Sequence, residues 1–471
     1  MTALSVQGVS SFSGKSFLVT ALARAFSRRG TRVAPFKAQN MSNNARVVDG
    51  GEIGVAQYLQ ALAAGIEPDV RMNPILVKPE GDDRSQVVVL GRVHHDASRQ
   101  RWRERPPSLW PVAEQALHEL LREYELVILE GAGSPAETNL RSTDLSNMRS
   151  AHAADAPVLL VADIDRGGAF AHLFGTWALV TGDDRRRLSG FVLNKFRGDE
   201  RLLAPAPEGL ERETGMAYAG LLPFVEHGLP DEDGAAPPIP RPGRPRVAVV
   251  RYPTASNLDE FKALEQAVDL VWARRPEDLE GVELVVLPGS KQVAADLAWL
   301  RARGFDAAIA RTARDGTRVL GICGGLQMLG EEIADPVGVD GNAVGLGLLP
   351  VRTTFAATKR TASVETVFAS LPAPWQELAG TRIRGYEIRH GETVSDGTAG
   401  DALPEGRGFA RGAVLGIAVH GLLEQPHAVA ALLGRVPERT LDSVFEDLAD
   451  LVEQRLDMEW IARTAGVACR A

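Results

Sequence analysis

A cysteine framed by glycines, Gly321-Ile322-Cys323-Gly324-Gly325, follows the apolar pair Val319-Leu320 and precedes Leu326, Leu329 and Ile333 at helical spacing. A strand that enters a helix through so tight a turn lifts the central side chain clear of the backbone. The flanking glycines remove the Cβ atoms that would clash. At a helix N-terminus the thiol is favoured as thiolate, so the pattern suits a nucleophile. Such a nucleophile needs a base and donors for an oxyanion. His420 ends the apolar stretch Gly416-Ile417-Ala418-Val419, which brings it to the same sheet edge as the elbow, and it is the expected base. His390, in Tyr386-Glu387-Ile388-Arg389-His390-Gly391, is the runner-up, and His427 after a proline reads as a helix start. The expected oxyanion donors are the backbone amides of Gly324 and of the Gly289 loop, Pro288-Gly289-Ser290-Lys291, at the end of the strand Val282–Leu287.

A second chemistry opens the chain. Gly8-Val9-Ser10-Ser11-Phe12-Ser13-Gly14-Lys15-Ser16 lies between a short strand, Leu4–Gly8, and a helix pattern from Ser16 to Ser27. A loop of this type wraps backbone amides around phosphate oxygens, with Lys15 on the terminal phosphates and the Ser16 hydroxyl on magnesium. The spacing is one residue longer than the standard phosphate loop. Lys37 follows the strand Arg32–Phe36, where polar groups face the ligand crevice of a parallel sheet. Two carboxylates are candidates for the metal: Asp49, in Asp49-Gly50-Gly51-Glu52, and Glu130, at the tip of the strand Leu126–Leu129. A carboxylate at a strand tip is what a magnesium site opposite such a loop needs, so Glu130 is the stronger. Asn194, after the strand Gly190–Leu193, is placed to bond an adenine edge.

These residues must be carried by sheets. Strands alternating with helices at this rhythm predict an α/β protein with doubly wound, mostly parallel sheets. At 471 residues the chain exceeds one core. Six prolines between Gly228 and Arg246 mark a stiff linker, and a new strand begins at Arg246. The expected division is an ATP-dependent domain over 1–228, a linker over 229–245, an amide-hydrolysing domain over 246–430 and a helical segment over 431–471. Val444, Leu448, Leu451 and Val452 form one apolar face of that last segment, and Ser256-x-x-Asp259 reads as a capping box. A net charge of −9 gives no support to nucleic-acid binding. The two cysteines, Cys323 and a tail thiol at Cys469, make no disulfide framework. With no leader and no apolar run of ~18–20 residues, a cytoplasmic protein without a membrane span is expected.

The lengthened phosphate loop resembles that of dethiobiotin synthetases, P-loop enzymes that make mixed carboxyl-phosphate anhydrides. Phe36-Lys37-Ala38-Gln39-Asn40-Met41, Asp49-Gly50-Gly51-Glu52-Ile53, Met72-Asn73-Pro74 and Glu130-Gly131-Ala132-Gly133-Ser134-Pro135-Ala136-Glu137 resemble the cobyric acid synthase family. So do Asp163-Ile164-Asp165-Arg166-Gly167-Gly168 and Asn194-Lys195-Phe196-Arg197-Gly198-Asp199, with Ala38 where the family more often has proline. The second half resembles class I glutamine amidotransferase domains of the cobyrinate type. The resemblance implies ATP, Mg2+, L-glutamine and a corrinoid acid as the molecules bound. The implied reaction is amidation of the b, d, e and g carboxylates of adenosylcobyrinic acid a,c-diamide. Cobyrinic acid a,c-diamide synthase has the same parts, and a nucleotide switch with a degenerate amidotransferase domain is the alternative of another class. Most class I domains carry Glu two residues after the histidine; here that residue is Leu422. The resemblance therefore implies a Cys–His dyad, with Glu424 the candidate third member and a weak or partner-gated glutaminase.

Overall fold

The computed structural model describes residues 2–80, 84–230 and 239–467. Its first sheet has six parallel strands, in the order Ala217–Pro223, Leu188–Phe196, Val158–Asp163, Ala3–Gly8, Leu126–Glu130 and Val33–Phe36. Runs such as Leu126-Val127-Ile128-Leu129 are apolar throughout because both faces of a parallel sheet are covered. Alternate residues confirm it. Leu4, Val6 and Ile128 join one core with the helix Lys15–Arg28, while Ala3, Val127 and Leu129 join another with the helix Pro106–Glu123.

The second sheet runs Asp269–Ala273, Arg246–Val250, Leu284–Leu287, Arg318–Ile322 and Val414–Ile417, all parallel. Gly408–Arg411 and Gly400–Leu403 extend it antiparallel. Both sheets bear out the doubly wound expectation. Sequence reading had no place for a long antiparallel ribbon, Val351–Val367 against Arg382–Ser395, which carries His390. The hairpin Ala45–Val48 and Gly51–Gly54, from the first half, packs against this ribbon.

The segment Ser256–Asp259 does not open an α-helix. Asn257 is left-handed at φ 56°, and a single 3-10 turn, Leu258–Phe261, follows with no side-chain cap. The C-terminal helices Leu441–Arg455 and Met458–Ala465 return to the first sheet. Val444, Leu448 and Val452 enter the same core as Leu18 and Leu22. Outside that core Arg24 meets Glu446, Arg28 meets Asp450 at 2.6 Å and Arg29 meets Glu453 at 3.0 Å. Half of the expected linker, 231–238, and Cys469 lie outside the described residues.

Candidate active site

The phosphate loop joins the strand Ala3–Gly8 to the helix Lys15–Arg28 through Gly14 at φ 97°. A Cβ there would sit 2.0 Å from the Asn194 amide nitrogen, so only glycine fits. That amide donates to the Ser13 carbonyl at 2.9 Å, and its oxygen accepts the Lys195 amide at 2.9 Å. Asn194 thus braces the phosphate loop through both ends of its side-chain amide. Lys195 closes the other flank, donating to the Phe12 carbonyl at 2.6 Å and pairing with Asp163 at 3.0 Å.

Glu130 is 0 % exposed at its strand tip. It accepts from Ser16 Oγ at 2.8 Å and Lys37 Nζ at 2.9 Å through one oxygen and from Gln60 through the other. Gln60 and Gln57, which also approaches that second oxygen, lie on the helix Val55–Ala63 and went unnoticed in the sequence. The structure brings Ser16, Lys37 and Glu130 together, while Lys15 lines a cleft with Ser16 and Lys37 and donates to the Ser10 carbonyl at 3.2 Å. Asp49 is not among them: exposed at φ 48°, it turns the hairpin with Gly50 at φ 72°, the backbone that Asp-Gly favours.

Among the described residues no three His, Cys, Asp or Glu side chains cluster to hold a metal alone. A nucleotide-bound magnesium does not require that, because phosphate and water supply most of its oxygens. The 2.8 Å between Ser16 Oγ and Glu130 Oε1 matches the ~2.9 Å edge of an octahedron of oxygens. The pair fits that ion.

Cys323 sits at φ 53°, ψ −105°, a strained conformation for a residue with a Cβ and the geometry of a nucleophile elbow. A Cβ on Gly324 would lie 2.6 Å from the Ser290 nitrogen, and one on Gly289 would lie 3.0 Å from His420 Cε1. The two expected donor loops therefore close on the thiol and the base. Sγ lies 3.6 Å from the Ile388 carbonyl. Burial pushes the Cys323 thiol up, but the facing His420, Arg389 and the Gly324 amide outweigh it and hold the thiol below its ordinary value. Burial pushes His420 down; Glu260 and Cys323 outweigh that and push it up to about 10. Both shifts favour charge separation between the two buried groups, thiolate facing imidazolium.

The third member is Glu260, not Glu424. Its carboxylate, 0 % exposed, takes His420 Nδ1 at 3.0 Å and the Gly421 amide at 3.0 Å. Glu260 stands on the 3-10 turn read as a helix start, and the only local signal for it was its place beside Asp259. Glu424 instead pairs with Arg46, which belongs to the first half. The other histidines are occupied elsewhere: His390 contacts the Ala356 carbonyl at 3.1 Å, and His427 donates to the Arg382 carbonyl at 2.7 Å.

A cleft of about 1060 Å³ runs from the phosphate loop across Lys37, Asn43 and Asn44 to Arg251, Ala255 and Leu258 of the second half. Lys15, Ser16 and Lys37 line it, whereas Cys323, His420 and Glu260 do not. Among the described residues no helix is long and apolar enough to cross a membrane.

Comparison with known proteins agrees with this arrangement. Residues 4–229 match the CobQ/CobB/MinD/ParA nucleotide binding domain, and residues 246–428 match the CobB/CobQ-like glutamine amidotransferase domain. The cobyric acid synthase of Polaromonas sp. (strain JS666) is 52% identical over 96% of this chain and 96% of its own. That of Paracidovorax citrulli (strain AAC00-1) is 54% identical over 98% of both chains. The cobyric acid synthase of Variovorax paradoxus (strain S110) is 53% identical over 96% of this chain and 97% of its own. The chain belongs to the cobyric acid synthase family, and it is a glutamine-dependent amidoligase.

Proposed function

We propose that this chain amidates the b, d, e and g carboxylates of adenosylcobyrinic acid a,c-diamide, using ATP and glutamine. The observation that carries the reading is that one chain holds both a phosphate loop set against Glu130 and a Cys–His–Glu cluster, with a cleft of about 1060 Å³ running from that loop to Arg251 and Leu258 of the second half. The Cys323 thiolate attacks the glutamine amide carbon, and the amides at Gly324 and Gly289 receive the charge that develops on oxygen. His420, held by Glu260, gives its proton to the departing ammonia and then draws one from the water that hydrolyses the thioester.

In the other site Lys15 and Lys37 hold the terminal phosphates of ATP against a substrate carboxylate. Ser16 and Glu130 would hold a magnesium ion, whose chemistry is to neutralise charge on the phosphate oxygens. The carboxylate oxygen attacks the γ-phosphorus and ADP leaves; ammonia then attacks the acyl carbon, inorganic phosphate leaves, and the nitrogen gives up a proton to become the amide. Free carboxylates are poor electrophiles, which is why the ATP step precedes. The test is to supply ATP, glutamine and either corrinoid and to follow product mass. Four successive acid-to-amide steps on the a,c-diamide are expected. Consumption of unamidated cobyrinic acid instead would assign the chain to the neighbouring a,c-diamide reaction.

A further inference from the structure

Arg46, in the hairpin strand Ala45–Val48 of the first domain, is buried inside the second. Its guanidinium pairs with Asp259 and Glu424 and donates to the Tyr386 hydroxyl. Asp259 precedes Glu260, and its carboxylate oxygens find no other hydrogen-bond donor among the described residues. Tyr386 stacks on the His420 ring at 5.2 Å and 16°, and the same guanidinium lies 5.0 Å from the Tyr386 ring centre. One cation therefore holds both the turn that carries the histidine's carboxylate and the ring that covers its face.

The backbone around Arg46 does the same. The Asn257 amide donates to the Ala45 carbonyl at 2.9 Å and to the Tyr386 hydroxyl at 2.8 Å, and the Leu258 amide donates to Asn44 Oδ1 at 3.1 Å. Asn44 and its neighbour Asn43 also line the cleft beside the phosphate loop. Three carboxylates, Asp259, Glu260 and Glu424, crowd the base, and only one of them points at it. Without a cation beside the other two, their repulsion and the desolvation of Asp259 would pull the turn apart.

We infer that Arg46 is a positioning residue of the glutaminase site, through which the ATP-binding domain keeps Glu260 and Tyr386 set against His420. The inference rests on Cys323 and His420 being the glutaminase pair. The test uses the full chain with Arg46→Met, measuring glutamine hydrolysis and ammonia-driven amidation side by side. The expected result is a kcat for glutamine hydrolysis lower by about ten-fold, with KM for glutamine and ammonia-driven amidation each within about two-fold of wild type. Adding Asp259→Asn removes the unpaired buried charge and recovers part of the lost kcat. A contact that merely glues the domains would lower both nitrogen sources together, or neither, and either outcome overturns the inference. Should Arg46→Met melt early, Arg46→Lys keeps the charge without the fork; a kcat loss of about three-fold supports the inference and an unchanged kcat overturns it. A Cys323→Ala control that still hydrolyses glutamine would show that the nucleophile, rather than Arg46, has been misassigned.

Discussion

The phosphate loop and the cysteine elbow each depend on a fully buried carboxylate, but the two are held in opposite ways. Glu130 is a hub: Ser16, Lys37 and Gln60 all donate to it, and the Lys37 ammonium balances its charge. Glu260 is a lever: it spends one oxygen on His420 and the other on Gly421, and its own neighbour, Asp259, is balanced by a residue from the other domain. The donors on Glu130 all come from its own half. The cation beside Asp259 comes from the other domain.

Four substitutions or conditions separate the centres, beginning with the largest effect. Cys323→Ala removes glutamine-dependent amidation by about 10⁶-fold, as loss of a nucleophile does, while high ammonia still supports product. Loss with both nitrogen sources would mean that the two centres are not separate. Glu260→Gln lowers glutaminase kcat by up to ~10⁴-fold, because the imidazole loses the partner that sets its tautomer. A small change would return the site to a dyad. Lys15→Ala lowers amidation by about 10²–10³-fold with glutamine and ammonia alike, measured as product formed at saturating ATP. Product with ammonia at the wild-type rate would show that the loop is not where ATP is held.

The smallest effect is on pH. With His420 pushed up to about 10 by Glu260 and Cys323, glutamine hydrolysis falls only as pH rises past about 10, when the imidazolium loses its proton. Removing the charge of Glu260 destabilises the imidazolium, so residual activity in Glu260→Gln falls away at lower pH. An alkaline limb that does not move would remove Glu260 from the site.

What the sequence made legible follows the same division. Every group at Glu130 except Gln57 and Gln60 sits in a strand-end motif, where hydrophobic runs announce the strand and polar residues announce its tip. Cys323 and His420 were legible for that reason. Glu260 was not, because a 3-10 turn has no periodicity and Ser256-x-x-Asp259 imitates a helix start. Asp49 misled in the other direction: Asp-Gly is equally a hairpin turn, and only the pairing of Ala45–Val48 with Gly51–Gly54 distinguishes the two. The ribbon that carries Tyr386 was missed because long polar strands with half-exposed faces lack the apolar runs of a parallel sheet.

The return of the helices Leu441–Arg455 and Met458–Ala465 to the first sheet bears on how the molecule is made. A ribosome delivers Lys15–Arg28 hundreds of residues before the helix that covers it. The nascent ATP-binding half therefore waits, with Leu18 and Leu22 incompletely sheltered, until the rest of the chain has emerged. The helix Leu441–Arg455 closes a core that Lys15–Arg28 opens. A chain truncated before Leu441 is expected to expose Leu18 and Leu22 and to self-associate, which light scattering of the truncated protein would show.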